Sequence, residues 1–176
     1  FLLDPNSNNN INQMCLDSLV IQTRFLSQNL EYHLLGNHLF ANAKALIFAG
    51  TYLKGKVAED WLKTGLSIYA KELDEQLLQD GGNFELTPMY HVIMLVDLLD
   101  LINLWTAYPN KVNLAVVEKA KQLATKMLDW LKTMSHIDGE ISFFNDSAFG
   151  IAPENEIVYG YASKLGLQNL SLNFAD

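Results

Sequence analysis

Between Pro88 and Trp105 the chain runs through Val92, Ile93, Leu95, Val96, Leu98, Leu99, Leu101, Ile102 and Leu104, with only Asp97 and Asp100 as charges. A helix that is apolar on nearly every side has to be covered on more than one side, so this stretch demands an inner helix with other helices packed around it. Thr87-Pro88 marks its start as an N-cap followed by proline in the first turn, and Pro109-Asn110 closes it. The two aspartates interrupt the run, and no transmembrane span or signal peptide is read from the chain. They sit three residues apart on one helix, too near and too parallel to flank a glycosidic bond as an inverting carboxylate pair does. They are read as helix-packing or hydrogen-bonding groups.

The rest of the chain supplies the covering helices. Residues 1–10 form an irregular lead-in, because Pro5, Ser7 and a run of asparagines disfavour regular structure. From Ile11 to about Leu34, apolar residues recur at three- and four-residue steps until Gly36 breaks the pattern. A second helix spans about 37–53, again broadly apolar with Lys44 almost its only charge. A third, about 57–78, is amphipathic: Trp61, Leu62, Leu66, Ile68, Tyr69, Leu73 and Leu77 point inward, opposite a charged face. Asp80-Gly81-Gly82-Asn83 is a strong break before the apolar fourth helix. A fifth, amphipathic helix follows at about 112–134. The stretch 137–153 loses helical period and reads as an ordered loop or short strand pair, and 154–165 reads as a last helix. Buried helices (second, fourth) alternate with half-exposed ones (third, fifth), which implies antiparallel hairpins in two layers. An all-α fold that is an incomplete α/α toroid fits this pattern, as does a plain helical bundle. The chain does not begin with methionine, and residues 11–176 read as part of a larger helical domain.

Charge and cysteine content narrow the partners. The net charge is −8, and Arg24 is the sole arginine among twelve cations. Nucleic-acid binding needs a basic stripe, so it is disfavoured. An acidic ligand has to be held locally, by neutral donors and a few cations. Cys15 is the only cysteine, which rules out an internal disulfide and a cysteine metal cage. No histidine pair has metalloprotease spacing, so no metal site and no cofactor is expected.

Three segments carry polar groups whose chemistry exceeds what packing needs. In Gly36-Asn37-His38, Asn37 stands where an N-cap would, and His38 and Asn42 share a helix face. Backbone amides, Asn37 and His38 at a helix N-terminus can hold an anionic oxygen; a capping asparagine and a structural histidine are the plainer reading. In the segment from Gly81 to His91, two glycines make a turn closed to other residues, Glu85 precedes the cap, and Tyr90-His91 fall in the first helical turn. A tyrosine there can donate a proton to a leaving oxygen, or be buried with its hydroxyl bonded. The loop with Asp138-Gly139-Glu140 and Phe143-Phe144-Asn145-Asp146-Ser147 offers aromatic and amide groups suited to sugar faces and hydroxyls, or a phenylalanine plug for the core.

Taken together, Tyr32-His33-Leu34-Leu35-Gly36-Asn37-His38-Leu39-Phe40-Ala41-Asn42, then Asp80-Gly81-Gly82-Asn83-Phe84-Glu85 with Pro88-Met89-Tyr90-His91, then Phe144-Asn145-Asp146-Ser147-Ala148-Phe149-Gly150, resemble the α-helical domain of the heparinase II/III-like family. The resemblance covers about 16–153. It implies an incomplete α/α toroid followed by a β-sandwich domain, and a bacterial polysaccharide lyase that cleaves heparin-, heparan sulfate- or alginate-like uronates by β-elimination. In such lyases an asparagine or histidine neutralises the uronate carboxylate, a base removes the C5 proton, and a tyrosine commonly protonates the leaving oxygen.

Carried over by position, the resemblance assigns catalysis to Asn37, His38 and Tyr90, and substrate contact to Glu85, His91, Asn42 and Asn145. Leu86 stands where many relatives carry arginine. The expected partner is an acidic polysaccharide, with neither nucleic acid nor membrane, and the expected location is periplasmic or secreted, a cytoplasmic one remaining open. Because the β-sandwich contributes a catalytic histidine in relatives, lyase activity is expected of a longer protein and not of this stretch alone. The alternatives are a non-catalytic carbohydrate-binding or surface-polysaccharide assembly protein of the same family, and a helical interaction scaffold.

Overall fold

The computed structural model describes residues 9–34 and 36–167. The expected lead-in therefore lies almost wholly outside the described residues. Six α-helices follow one another: α1 (Asn9–Gln28), α2 (Asn37–Tyr52), α3 (Lys56–Gln76), α4 (Pro88–Ala107), α5 (Leu114–Thr133) and α6 (Asn155–Lys164). A 3-10 turn at Pro109–Lys111 separates α4 from α5. Among the described residues there is no strand, only two isolated antiparallel bridges, Leu77 with Asn83 and Ser135 with Ile141. The all-α expectation holds, and the strand pair considered for 137–153 reduces to the second bridge. The chain divides into two compact units, 1–70 and 71–176, with the boundary inside α3.

In the first unit, α1 ends six residues before the periodicity alone predicts. The Ser27 hydroxyl donates to the Arg24 carbonyl and the Asn29 amide donates to the Phe25 carbonyl, so side chains take over the last carbonyls of the helix. Leu46, Ala49, Ala58 and Trp61 form a core cluster, against which Val20, Leu26, Leu30 and Leu53 pack. Two glycines let α2 and α3 approach closely. A Cβ on Gly50 would lie 2.5 Å from the Leu62 backbone nitrogen, and one on Gly65 would lie 2.9 Å from the Ala43 carbonyl oxygen.

In the second unit, α4 packs against α5 and α6. Val92, Leu95, Leu98, Leu99, Leu101 and Ile102 have no exposed surface. By length and composition alone α4 would pass for a membrane span, but its apolar side chains are used in this core. Asp100 accepts a hydrogen bond from the Tyr161 hydroxyl at 2.8 Å, which ties α4 to α6 and gives that aspartate the hydrogen-bonding role its spacing suggested. The Asp80–Asn83 turn folds back on the end of α3, where the Leu78 amide donates to the Gly82 carbonyl and the Phe84 amide to the Gln76 carbonyl. Its glycines have separate reasons. Gly81 has φ +93° and a Cβ there would sit 2.5 Å from the Lys126 carbonyl oxygen; Gly82 faces the Trp130 indole, 2.7 Å from where its Cβ would be.

Candidate functional site

The first unit holds the Gly36-Asn37-His38 segment. Gly36, at φ 83° and ψ −147°, is the N-cap of α2, so Asn37 is the first helical residue and not the cap. The capping role that would have explained Asn37 away is therefore absent. Its half-buried carboxamide makes no hydrogen bond among the described residues. His38 is about half exposed, with Nδ1 3.7 Å from a Glu31 carboxylate oxygen. Asn42 shares that face but has a structural job. Its Oδ1 accepts from the Glu31 amide at 3.0 Å and its Nδ2 donates to the Glu31 carboxylate at 2.8 Å. At 7 % exposure, with both ends of its amide engaged, Asn42 braces the turn before α2 and is not presented to a substrate. Glu31, which the sequence reading did not single out, thus joins the first turn of α2 to the loop ahead of it.

The second unit holds the other two segments and brings them together. Thr87 is the N-cap of α4, as its place before Pro88 predicts, but its hydroxyl donates backward to the Glu85 carbonyl. The unsatisfied Met89 amide donates instead to the hydroxyl of Ser147 at 3.4 Å, from a loop 58 residues away. Two residues before Ser147, the Asn145 amide donates to the Leu86 carbonyl at 2.7 Å. Leu86 and Asn145 both lie in the left-handed region, at φ 52° and 51°, a costly conformation for leucine and a tolerated one for asparagine. Asn83, 1 % exposed, shapes the approach: its Oδ1 accepts from the Glu85 amide at 3.0 Å. Tyr90 then leaves the first turn half-buried, its hydroxyl without a hydrogen-bond partner among the described residues. Phe143 and Phe149 are exposed and stack on each other, centroids 5.0 Å apart, so Phe143 is not the core plug that the segment could have supplied.

His91 is a correction to the sequence reading. It has no exposed surface, its Nε2–H donates to the Met127 carbonyl at 2.9 Å, and its ring lies 4.4 Å from that of Trp130. Burial pushes its pKa down to about 4, against smaller opposing effects from the Met127 bond and the Asp80 charge. The ring is neutral at pH 7 and holds α4 to α5; it does not reach a substrate. Sequence could not separate the roles of Tyr90 and His91, because the partners of His91 come from a helix 36 residues on. Glu85 is partly buried beside the cap, and nothing in the geometry singles it out as a ligand contact.

A cleft of about 480 Å³ lies beside α6 and contains none of the predicted site residues. Asp138, Glu140, Glu154 and Glu156 line it without a cation, which makes it a poor seat for an anionic polymer. No group of three metal-ligating side chains exists among the described residues.

The Heparinase II/III N-terminus family model matches residues 1–161. The chain belongs to the heparinase II/III family. Its curated relatives include a heparin-sulfate lyase of Bacteroides stercoris, 42 % identical over 62 residues, covering 35 % of this chain and 9 % of the relative. The heparin-sulfate lyase of Pedobacter heparinus is 37 % identical over 78 residues, covering 44 % and 12 %. Among solved structures, heparinase III aligns over 92 % of this chain and 25 % of its own, with a TM-score of 0.72 at 23 % identity. The heparan sulfate lyase HepC from Pedobacter heparinus aligns over 92 % and 24 %, with a TM-score of 0.65 at 25 % identity. The helical fold is thus that of part of these heparinases, and the chain spans about a quarter of the solved structures it matches.

Proposed function

We propose that the full-length protein is a polysaccharide lyase that breaks uronic-acid-containing chains by β-elimination. In this reading Asn37 and His38 neutralise the uronate carboxylate, and Tyr90 protonates the leaving oxygen. The observation that carries it is the contrast in how the polar residues are used. Asn42 spends both ends of its amide, and sealed His91 its Nε2–H, in holding the fold, whereas Asn37 and Tyr90 sit half-buried in the first turns of α2 and α4 with their polar groups unengaged among the described residues. Family membership and the heparin-sulfate lyase relatives support the same chemistry.

The physical logic is that of preorganised donors. The C5 proton is acidic only to the extent that charge flowing into the adjacent carboxylate is stabilised. Neutral amides and an imidazole in the first turn of a helix stabilise it without the reorganisation water would need. A base supplied by the full-length protein takes the C5 proton, the electrons of that C–H bond form the C4–C5 double bond, the C4–O bond breaks, and the departing oxygen takes a proton from the Tyr90 hydroxyl. The substrate is an acidic polysaccharide of the heparan sulfate type, and with such a polymer as substrate the protein works in the periplasm or outside the cell.

The test is full-length protein incubated with heparan sulfate and, separately, alginate, followed by the ultraviolet absorbance of the unsaturated uronate product. Growth of that absorbance, and a fall in turnover of about 100- to 1000-fold in Asn37→Ala, is expected for one lost donor at a developing negative charge. Absence of the unsaturated product, with retained binding to the polymer, favours the non-catalytic carbohydrate-binding reading. A product unaffected by Asn37→Ala removes that residue from the chemistry.

A further inference from the structure

The loop carrying Asn145 and Ser147 meets the chain on both sides of the cap that leads into Tyr90. Asn145 holds the Leu86 carbonyl, four residues before Tyr90, and Ser147 holds the Met89 amide, one residue before it. Neither contact is required by the local helix signal, since Thr87 and Pro88 already mark the start. Both contacts fix backbone, and neither touches the tyrosine ring. Thr87 turns its hydroxyl away from the helix, so Ser147 supplies an acceptor the cap does not. The Leu86 backbone stands at φ 52°, a costly conformation for an exposed leucine that persists only where its surroundings hold it. The Asn83 carbonyl accepts from the Leu86 amide within the turn, and Asn145, itself at φ 51°, holds the Leu86 carbonyl from the distant loop.

We infer that Asn145 and Ser147 are positioning residues, which clamp the Leu86–Met89 backbone and so fix where the Tyr90 hydroxyl stands. The inference rests on the reading of Tyr90 as the proton donor. It assigns to Asn145 a role other than substrate contact, because its amide nitrogen is already engaged by the Leu86 carbonyl. Proton transfer is steep in geometry: a displacement on the order of 1 Å costs about 100-fold in rate while leaving substrate binding nearly intact.

The discriminating variant is Asn145→Asp in the full-length protein. Aspartate keeps the shape and tolerates the left-handed backbone, but it cannot donate to the Leu86 carbonyl. Ser147→Ala removes the other contact, and Ser147→Thr restores an acceptor hydroxyl. With heparan sulfate as substrate, the expected result is a fall in kcat of about 10- to 100-fold for Asn145→Asp and Ser147→Ala, with KM within about threefold. Ser147→Thr recovers most of the rate. Introduced into Tyr90→Phe, Asn145→Asp has no further effect on the residual rate, because the group it positions is gone. A raised KM at unchanged kcat makes Asn145 a substrate contact and overturns the inference. So does an unchanged kcat, or a loss that simply multiplies with that of Tyr90→Phe. Normal turnover by Tyr90→Phe alone refutes the proton-donor reading itself, and is distinct from failure of the clamp.

Discussion

His91 offers a prediction whose size can be worked from its surroundings. The imidazole is enclosed between α4 and α5, with Nε2–H on the Met127 carbonyl and Nδ1 buried without a partner. Burial holds its pKa at about 4 in the folded protein, against the ordinary 6.5. The unfolded chain takes up a proton near pH 6.5, the folded chain only near pH 4. The stabilisation from keeping this ring neutral is therefore fully present above pH 6.5 and is lost as the pH falls towards 4. At about 1.4 kcal/mol per pKa unit, the loss amounts to about 3 kcal/mol. Urea unfolding followed by tryptophan fluorescence, at steps from pH 7 to pH 4, measures it in the wild type and in His91→Leu. Other groups titrate in both proteins and cancel in the difference. Relative to His91→Leu, the wild type is expected to lose about 3 kcal/mol across that window. A difference that stays flat from pH 7 to pH 4 would mean that the ring titrates in the folded protein as it does in water, and that burial does not lower its pKa.

Other perturbations test the supports of the site. Gly82→Ala pushes a methyl group into the Trp130 indole and is expected to cost about 1–3 kcal/mol in urea unfolding. Gly81→Ala is expected to cost more, because it adds a left-handed backbone penalty to a collision with the Lys126 carbonyl; equal stability to the wild type would contradict the close approach. Asn42→Ala removes both hydrogen bonds to Glu31 and is expected to lower stability by about 1–3 kcal/mol with KM for the polysaccharide unchanged. A raised KM at unaltered stability would return Asn42 to the substrate.

What was legible in the sequence follows from how far each determinant reaches. The apolar period from Val92 to Leu104 and the Thr87-Pro88 signal place α4 correctly, because both act within a few residues. The Asp80–Asn83 break is legible for the same reason, but the need for glycine at position 82 is not, since it comes from Trp130 on another helix. Long-range partners hide the side-chain roles as well. Asn42 and His38 share a face as their spacing requires, yet the engagement of Asn42 depends on Glu31, eleven residues earlier in the chain. Tyr90 and His91 look alike in the sequence as polar residues in one helical turn. They differ only because successive positions on a helix point about 100° apart, leaving one half-buried and the other sealed against α5. Asn37 shows the reverse error, since the left-handed Gly36 takes the capping place and leaves its neighbour's amide unengaged.

The phenol of Tyr90 is the group on which the proposed elimination turns. Full-length Tyr90→Phe removes a single oxygen from a residue whose ring packing stays the same. Steady-state cleavage of heparan sulfate, paired with calorimetric binding of the same polymer, separates chemistry from affinity. A kcat lower by about 100- to 10,000-fold is expected, with binding within a few-fold of the wild type. Unimpaired cleavage by the phenylalanine variant would contradict the proton-donor role of Tyr90.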